Sequence, residues 1–268
     1  MEEAKSTVLV TGITGYIAAE TAYQLLEKGY RVRGTVRSVK NESKLAPIRA
    51  LHPAGETNLE FVEANLNSEE GWEEAMSGVD YILHLASPYV IKPKKDSDLI
   101  NPAVNGTLNV MKAASKSSNI KGIVLTSSCI AIYPHKFDEL EHHYTEKDWG
   151  DPKQTGGYGK SKIFAEQKAW EYWNSLDEAT RYKFAVINPS IVIGPQRVST
   201  SFTSAQFVKQ YLDGTYPSIP KVSMPYVTVD DVARAHIIAM ENFDVSNGNR
   251  YILSENTYAL KDIFGYLR

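Results

Sequence analysis

The feature that most limits what this chain can become lies near its N-terminus. A short apolar run, Ser6-Thr7-Val8-Leu9-Val10, leads into Thr11-Gly12-Ile13-Thr14-Gly15-Tyr16-Ile17-Ala18. Apolar residues then recur at helical spacing through Ile17, Ala18, Thr21, Leu25 and Leu26, until Gly29 ends the pattern. A buried strand that turns on glycines directly into a helix aims free N–H groups and the positive helix end at whatever lies above the strand. That place suits a pyrophosphate. Gly12 allows the tight turn, Gly15 lets the backbone approach the phosphates, and Ala18 keeps helix and strand close. The spacing is Gly-x-x-Gly-x-x-Ala rather than Gly-x-Gly-x-x-Gly, so its place between strand and helix carries the reading. The competing explanation is a glycine turn that serves packing alone. On the first reading Gly12, Thr14, Gly15, Tyr16 and Ile17 are dinucleotide contacts.

Strands and helices keep alternating after this turn. Further strands are expected at 31–36, 59–63, 81–85, 122–126 and 184–188, and helices at 41–51 (despite Pro47), 69–76, 99–116 and 158–173. Such βαβ units predict an α/β fold, a Rossmann-type doubly wound parallel sheet with helices on both faces. After Pro189 the texture changes, and Pro195, Pro217, Pro220 and Pro225 punctuate the chain. Helices are expected at 204–212, 229–242 and 260–267, with one short strand at 250–253. The expected division is a dinucleotide-binding part, mainly 1–188, and a smaller substrate cap, mainly 189–268, interleaved with the sheet. The polar stretch 134–154 is long for a loop, and loops of that length are usually functional or mobile.

Composition narrows the function. The 268 residues are 43% hydrophobic and 23% charged, which suits one unit with a substantial core. A chain of this size buries roughly 75% of its unfolded surface. Lys plus Arg is 29 and Asp plus Glu is 32, a net charge of −3, which argues against a nucleic-acid partner. A single cysteine, Cys129, excludes an intramolecular disulfide and a cysteine-based zinc site. No apolar run reaches the roughly 18 residues of a membrane helix, and Met1-Glu2-Glu3-Ala4-Lys5 is no signal peptide. The expectation is a cytoplasmic protein with a small-molecule partner, either monomer or homodimer.

The second strand ends at Arg33-Gly34-Thr35-Val36-Arg37-Ser38. A carboxylate there would hold the ribose 2′-hydroxyl of NAD. The chain instead supplies Arg37, followed by Lys40 and Lys44. A guanidinium grips phosphate bidentately, so the expected cofactor is NADP, present as NADPH.

Tyr158-Gly159-Lys160-Ser161-Lys162 opens a helix and puts Tyr158 and Lys162 on one face. A free phenol titrates near 10 and is a sluggish proton donor at neutral pH. An ammonium one turn away is expected to bring it closer to working pH and to reach ribose hydroxyls. The strand 122–126 ends in Ser127-Ser128-Cys129, and a hydroxyl at the carboxyl end of a strand faces the cleft of an α/β sheet. Ser128 could hold a carbonyl oxygen while Tyr158 protonates it.

With these elements in this order, the chain resembles the extended short-chain dehydrogenase/reductases. More narrowly it resembles the carbonyl reductases similar to dihydroflavonol reductase and cinnamoyl-CoA reductase. The resemblance extends through His84-Leu85-Ala86-Ser87-Pro88, Asn105-Gly106-Thr107-Leu108-Asn109-Val110, the 188–195 segment and Tyr226-Val227-Thr228-Val229-Asp230-Asp231-Val232-Ala233. It implies a catalytic triad of Ser128, Tyr158 and Lys162. It also implies NADP contacts at Arg37 and Lys44, at Leu85, Ala86 and Ser87, and at Pro189 and Val192. Asn65, beside Leu66, stands where the family has an adenine-binding Asp, and an amide can still accept from the adenine amine. Tyr133 stands where dihydroflavonol reductases carry Asn, which counts against a flavonoid substrate. Cys129 replaces a small Ala or Ile. The chain also ends at Arg268, several tens of residues short of the family's usual end.

The resemblance implies NADPH-dependent reduction of an aldehyde or ketone, with Tyr158 as proton donor. Two alternatives stay open: an NAD-dependent nucleotide-sugar epimerase or dehydratase on the same scaffold, and a non-catalytic NADP-sensing protein. Other residues have plainer readings. His84 is expected to be a satisfied core histidine and Cys129 a packing residue. His142-His143 lacks the spacing of a metal site. Trp149 and Glu146 rim the cleft or anchor the loop, and Trp170 and Trp173 belong to a core or an interface.

Overall fold

The structure, a computed structural model, describes residues 5–87, 93–133, 143–199, 210–211, 213–216 and 218–266. The expected 204–212 helix therefore lies outside the described residues except for Gln210 and Tyr211, as does His142.

Along the first part of the chain run β1 (Thr7–Val10), α1 (Tyr16–Glu27), β2 (Arg31–Val36), α2 (Glu42–Arg49), α3 (Gly55–Asn58), β3 (Leu59–Glu63) and α4 (Trp72–Met76). There follow β4 (Tyr81–His84), α5 (Ser97–Lys116), β5 (Gly122–Thr126), α6 (Gly157–Ser175) and β6 (Lys183–Pro189). Together with β9 (Asn249–Leu253), the strands pair in parallel in the order β3-β2-β1-β4-β5-β6-β9. The order reverses between β1 and β4, and a ligand crevice forms outside the carboxyl ends of strands at such a point.

The period-2 alternation of the strands feeds two apolar layers. Val8, Val10, Leu83, Val124, Ala185 and Ile187 face α1, α2 and the helix Val229–Glu241, where Leu25, Leu26, Ile48, Ile237 and Met240 close the layer. Leu9, Ile82, Ile123, Phe184 and Val186 face the other way, onto Trp72, Val110, Met111, Ala169 and Trp173 of α4, α5 and α6. Burying one such side chain contributes about 1.5–3 kcal/mol, so the alternation holds each helix to its own face of the sheet. Trp170 and Trp173 pack around Phe184, with ring centroids 4.6 and 5.9 Å away, and are core residues.

The C-terminal part departs from expectation. Besides β9 it contains β7 (Ile191–Ile193), β8 (Ser223–Thr228) and β10 (Asn256–Ala259), which form a second sheet in the order β10-β8-β7. Pro225 reads as a breaker because proline cannot donate to a ladder, yet it lies in β8 opposite Thr257. β7 pairs with β8 only from Tyr226 onward, so at Pro225 that flank is open. No helix among the described residues is long and apolar enough to cross a membrane.

Candidate active site

The glycine turn sits at the switch point and is tied to both neighbouring strands. Gly12 adopts φ +62°, and a Cβ there would stand 2.9 Å from the Cβ of Ala86. Its N–H donates to Thr35 Oγ1 at 2.9 Å. Thr11 Oγ1 accepts from the Ala86 N–H at 2.9 Å and pairs with His84 Nδ1 at 2.8 Å. The carboxyl ends of β1, β2 and β4 are thus fastened together beneath the turn. α1 starts at Gly15 with no side-chain cap and no acidic residue in its first turn. Its positive end is uncompensated and suits an anion. At the end of β2, Thr14, Val36, Arg37, Ser38, Asn41, Lys44 and Leu45 line a cavity of about 350 Å³. Arg37 and Lys44 are exposed, and neither side chain has a hydrogen-bond or ion-pair partner among the described residues. A close backbone cradle, an uncapped helix and two free cations fit a dinucleotide that carries an extra phosphate.

At the other end of the crevice, Ser128 is extended and caps a 3₁₀ turn at Cys129–Ala131, its Oγ accepting from the Ile130 N–H at 3.4 Å. Tyr158 lies in the first turn of α6 beside Ser128, near enough for the serine side chain to favour the phenolate. Lys162 Nζ stands 6.0 Å from the Tyr158 ring centroid. Lys162 also lines a small pocket with Ala86, Ser87, Thr126, Ser127 and Glu166.

The electrostatics differ from expectation. Burial pushes the Tyr158 phenol up to about 12, the Cys129 thiol adds to that, and only the Ser128 hydrogen bond pulls it down. Tyr158 as a residue is 48% exposed, so solvent screening tempers that rise. The expected lowering by Lys162 is absent. At this separation the ammonium does not outweigh the desolvation around the hydroxyl. Burial instead lowers Lys162 itself to about 8, with Glu166 opposing it.

A family profile described as "NAD dependent epimerase/dehydratase family" matches residues 8–253. The chain belongs to that family. Tetraketide alpha-pyrone reductase 1 of Arabidopsis thaliana is 34% identical over 275 residues, 100% of this chain and 82% of that protein. Cinnamoyl-CoA reductase CAD2 of Medicago truncatula is 35% identical over 272 residues, 98% of this chain and 80% of that protein. The crystal structure of Gre2 from Candida albicans in complex with NADPH matches with a TM-score of 0.85 at 32% identity, covering 98% of this chain and 82% of that one. The likeness to reductases read from the motifs is borne out, and so is the doubly wound fold.

The other residues singled out in this epimerase/dehydratase-family chain fall in three places. Tyr16 and Ile17 pack with Val192 and Val227, and the Tyr16 hydroxyl donates to the Gly194 carbonyl at 2.9 Å. Leu85, Ala86 and Ser87 follow β4, and Pro189 ends β6. Asn65 and Leu66 follow β3 and do not line the cavity beside Arg37; Asn65 Oδ1 already accepts from the Asn67 N–H at 3.0 Å. His84 is 1% exposed and Cys129 is buried, as core residues should be. The sequence assigned no role to Thr11, Thr35, Glu166, Asn188 or Arg250. Each acts through a partner distant in the chain, and only the position of Thr11 at the strand end offered a signal.

Proposed function

We propose that this chain reduces an aldehyde or ketone to an alcohol with NADPH, using Tyr158 as proton donor. The enzyme class is supported by relatives named as reductases and by the similar NADPH complex, which make it an NADP-dependent oxidoreductase. What supports the finer reading is the gathering of Ser128, just beyond β5, with Tyr158 and Lys162 of α6, whose Nζ stands 6.0 Å from the Tyr158 ring centroid.

Gly12, Gly15 and the first turn of α1 would receive the pyrophosphate, with Thr14, Tyr16 and Ile17 beside it. Arg37 and Lys44 would hold the 2′-phosphate, and Asn65 with Leu66 the adenine side. Leu85, Ala86, Ser87, Pro189 and Val192 would wall the remainder, and Lys162 would bond ribose hydroxyls. When bound, NADPH supplies the hydride that reduces the carbonyl carbon. Ser128 donates a hydrogen bond to the carbonyl oxygen as negative charge gathers there, where a fixed donor lowers the barrier most. Tyr158 passes its proton to the same oxygen. A phenol held near 12 stays protonated throughout the neutral range, which is the form a donor needs.

The test is NADPH consumption against aldehydes, diketones, acyl-CoA thioesters and flavonoid ketones, run beside NADH. Turnover of at least one carbonyl with NADPH preferred supports the reading. NADPH binding with no turnover across the panel overturns it in favour of a sensor. Co-purified, tightly held NAD overturns it in favour of an epimerase or dehydratase.

A further inference from the structure

Behind the Ser128 turn runs a closed ring of polar contacts that the reaction itself does not use. Asn188 Nδ2 donates to the Ser128 carbonyl at 3.1 Å and to Glu166 Oε2 at 2.8 Å. Ser127 Oγ donates to the same Glu166 oxygen at 2.5 Å. Arg250 Nε donates to Glu166 Oε1 at 2.5 Å, and Arg250 Nη1 reaches the carbonyls of Glu146 and Asp148 at 2.9 and 2.7 Å. The guanidinium also lies 3.8 Å from the Trp149 ring centroid. One residue further on, the Gly150 N–H donates to the Ala131 carbonyl at 2.9 Å, and the Ala131 N–H returns to the Ser128 carbonyl at 2.9 Å. Gly150 is needed for this approach, since a Cβ there would stand 2.9 Å from the Ile130 carbonyl oxygen.

The ring joins the serine turn, the segment around Trp149 and helix α6, which carries Tyr158 and Lys162, through Asn188 of β6 and Arg250 of β9. Its central ion pair is withdrawn from water, with the Glu166 side chain 0% and the Arg250 side chain 7% exposed. Burying such a pair is costly unless geometry repays it. Arg250 Nη2 and Asn188 Oδ1 are moreover buried without partners. As a means of holding the fold alone, this arrangement is poor. As a means of fixing the Ser128 backbone against α6, it is direct.

We propose that Glu166 and Arg250 are positioning residues that lock the 146–150 segment, the Ser128 turn and the Lys162 face of α6 into one unit. Seating that segment and aligning the serine hydroxyl are then a single event. The kinetic part of this inference rests on the carbonyl-reductase reading.

The test compares the wild type with Arg250→Met, Glu166→Gln and the double variant Glu166→Gln/Arg250→Met, which leaves no orphaned charge. Hydrogen exchange is followed at amides 128–131 and 145–150, with β1 and β2 as control. Arg250→Met and the double variant should speed exchange about tenfold in both segments together, with the control unchanged. The turnover number should fall about 10²-fold, the cost of a small misplacement, while the KM for NADPH stays within about twofold. Lys162 is faced by Tyr158 and Glu166 from α6 and by His84 from β4. Glu166→Gln should therefore move the alkaline limb of kcat/KM toward lower pH by on the order of one unit, a shift that a merely structural role would not produce. Exchange rising in one segment alone, or wild-type exchange and turnover in the double variant, overturns the proposal. The exchange readout needs no substrate, so it decides the proposal even if the wild type reduces no carbonyl. That second result would sink the reductase reading alone.

Discussion

Tyr158, in the first turn of α6, stands beside Ser128, two residues beyond β5, and the serine side chain draws the phenol down against the burial that raises it. Two hydroxyl donors this near each other can both reach one carbonyl oxygen. Tyr158→Phe removes the proton and should lower kcat about 10²–10⁴-fold. Ser128→Ala should cost about 10²–10³-fold, as for the loss of one donor to a developing oxyanion. Both variants should bind NADPH as the wild type does. Steady-state kinetics beside a fluorescence titration of NADPH checks this, and turnover near wild type in Tyr158→Phe would remove the mechanism.

Arg37 lines the cavity after β2 and has no hydrogen-bond or ion-pair partner among the described residues. Arg37→Asp should weaken kcat/KM for NADPH about 10- to 100-fold through loss of a charge-assisted pair. The value for NADH should hold or rise. An unchanged ratio between the two cofactors would mean that the phosphate is held elsewhere.

The pH dependence follows from Lys162. Its pKa is lowered to about 8, so the ammonium is present below that value and is lost as pH rises through it. Binding and turnover of NADPH should therefore decline on the alkaline side from about pH 8. Tyr158, held up to about 12, contributes no loss there. A flat profile of kcat/KM from pH 7 to 9.5 would show that the charge of Lys162 is not used.

Acid should destabilise the fold before most carboxylates titrate. Burial lowers His84 to about 3, with Lys162 adding to it, and lowers His236 to about 4 against a backbone hydrogen bond. In the unfolded chain both titrate near 6.5. The folded pKa is depressed, so the stability these groups provide is complete above about 6.5 and is lost as pH falls toward 4. Urea midpoints at pH 7.5, 6, 5 and 4.5 should fall steadily, and equal midpoints from 7.5 to 5 would contradict it.

Tyr16 fastens α1 to the segment after β7 through its bond to the Gly194 carbonyl. A second tie lies nearby, where Arg197 Nε meets Glu20 Oε2 at 2.6 Å. Tyr16→Phe removes one part-buried hydrogen bond and should cost about 1 kcal/mol in denaturant unfolding. A loss several times larger would assign Tyr16 to the core rather than to this tie.

Local chemistry was legible where neighbours in sequence are also neighbours in space. The glycine turn, the 122–126 strand with its serines and the Tyr158–Lys162 face needed only short-range reasoning. Helix α2 formed in spite of Pro47, and α4 began later than expected because Gly71 adopts φ +82° just before it. The second sheet was missed because β7 has only three residues, Pro225 interrupts the pattern of β8, and β10, Asn-Thr-Tyr-Ala, carries little apolar pattern. The partnership of Glu166 with Arg250 spans 84 positions and exists only once β9 lies beside β6. The titration of Tyr158 went unread for a similar reason: spacing shows the ammonium nearby but not how much water the fold removes around the phenol.

The placement of β9 bears on how the molecule is made. The strand that flanks β6 emerges after β7 and β8 of the other sheet, so during synthesis β6 must wait with one side uncovered. Phe184 and Val186 lie on that waiting strand and are fully shielded in the finished protein. A nascent chain stalled before residue 249 would present an open ladder of N–H and C=O groups next to apolar surface, the kind of edge that recruits other chains. Until Asn249–Leu253 has been made the main sheet cannot close beside β6, and a partially translated product is a natural client for chaperones.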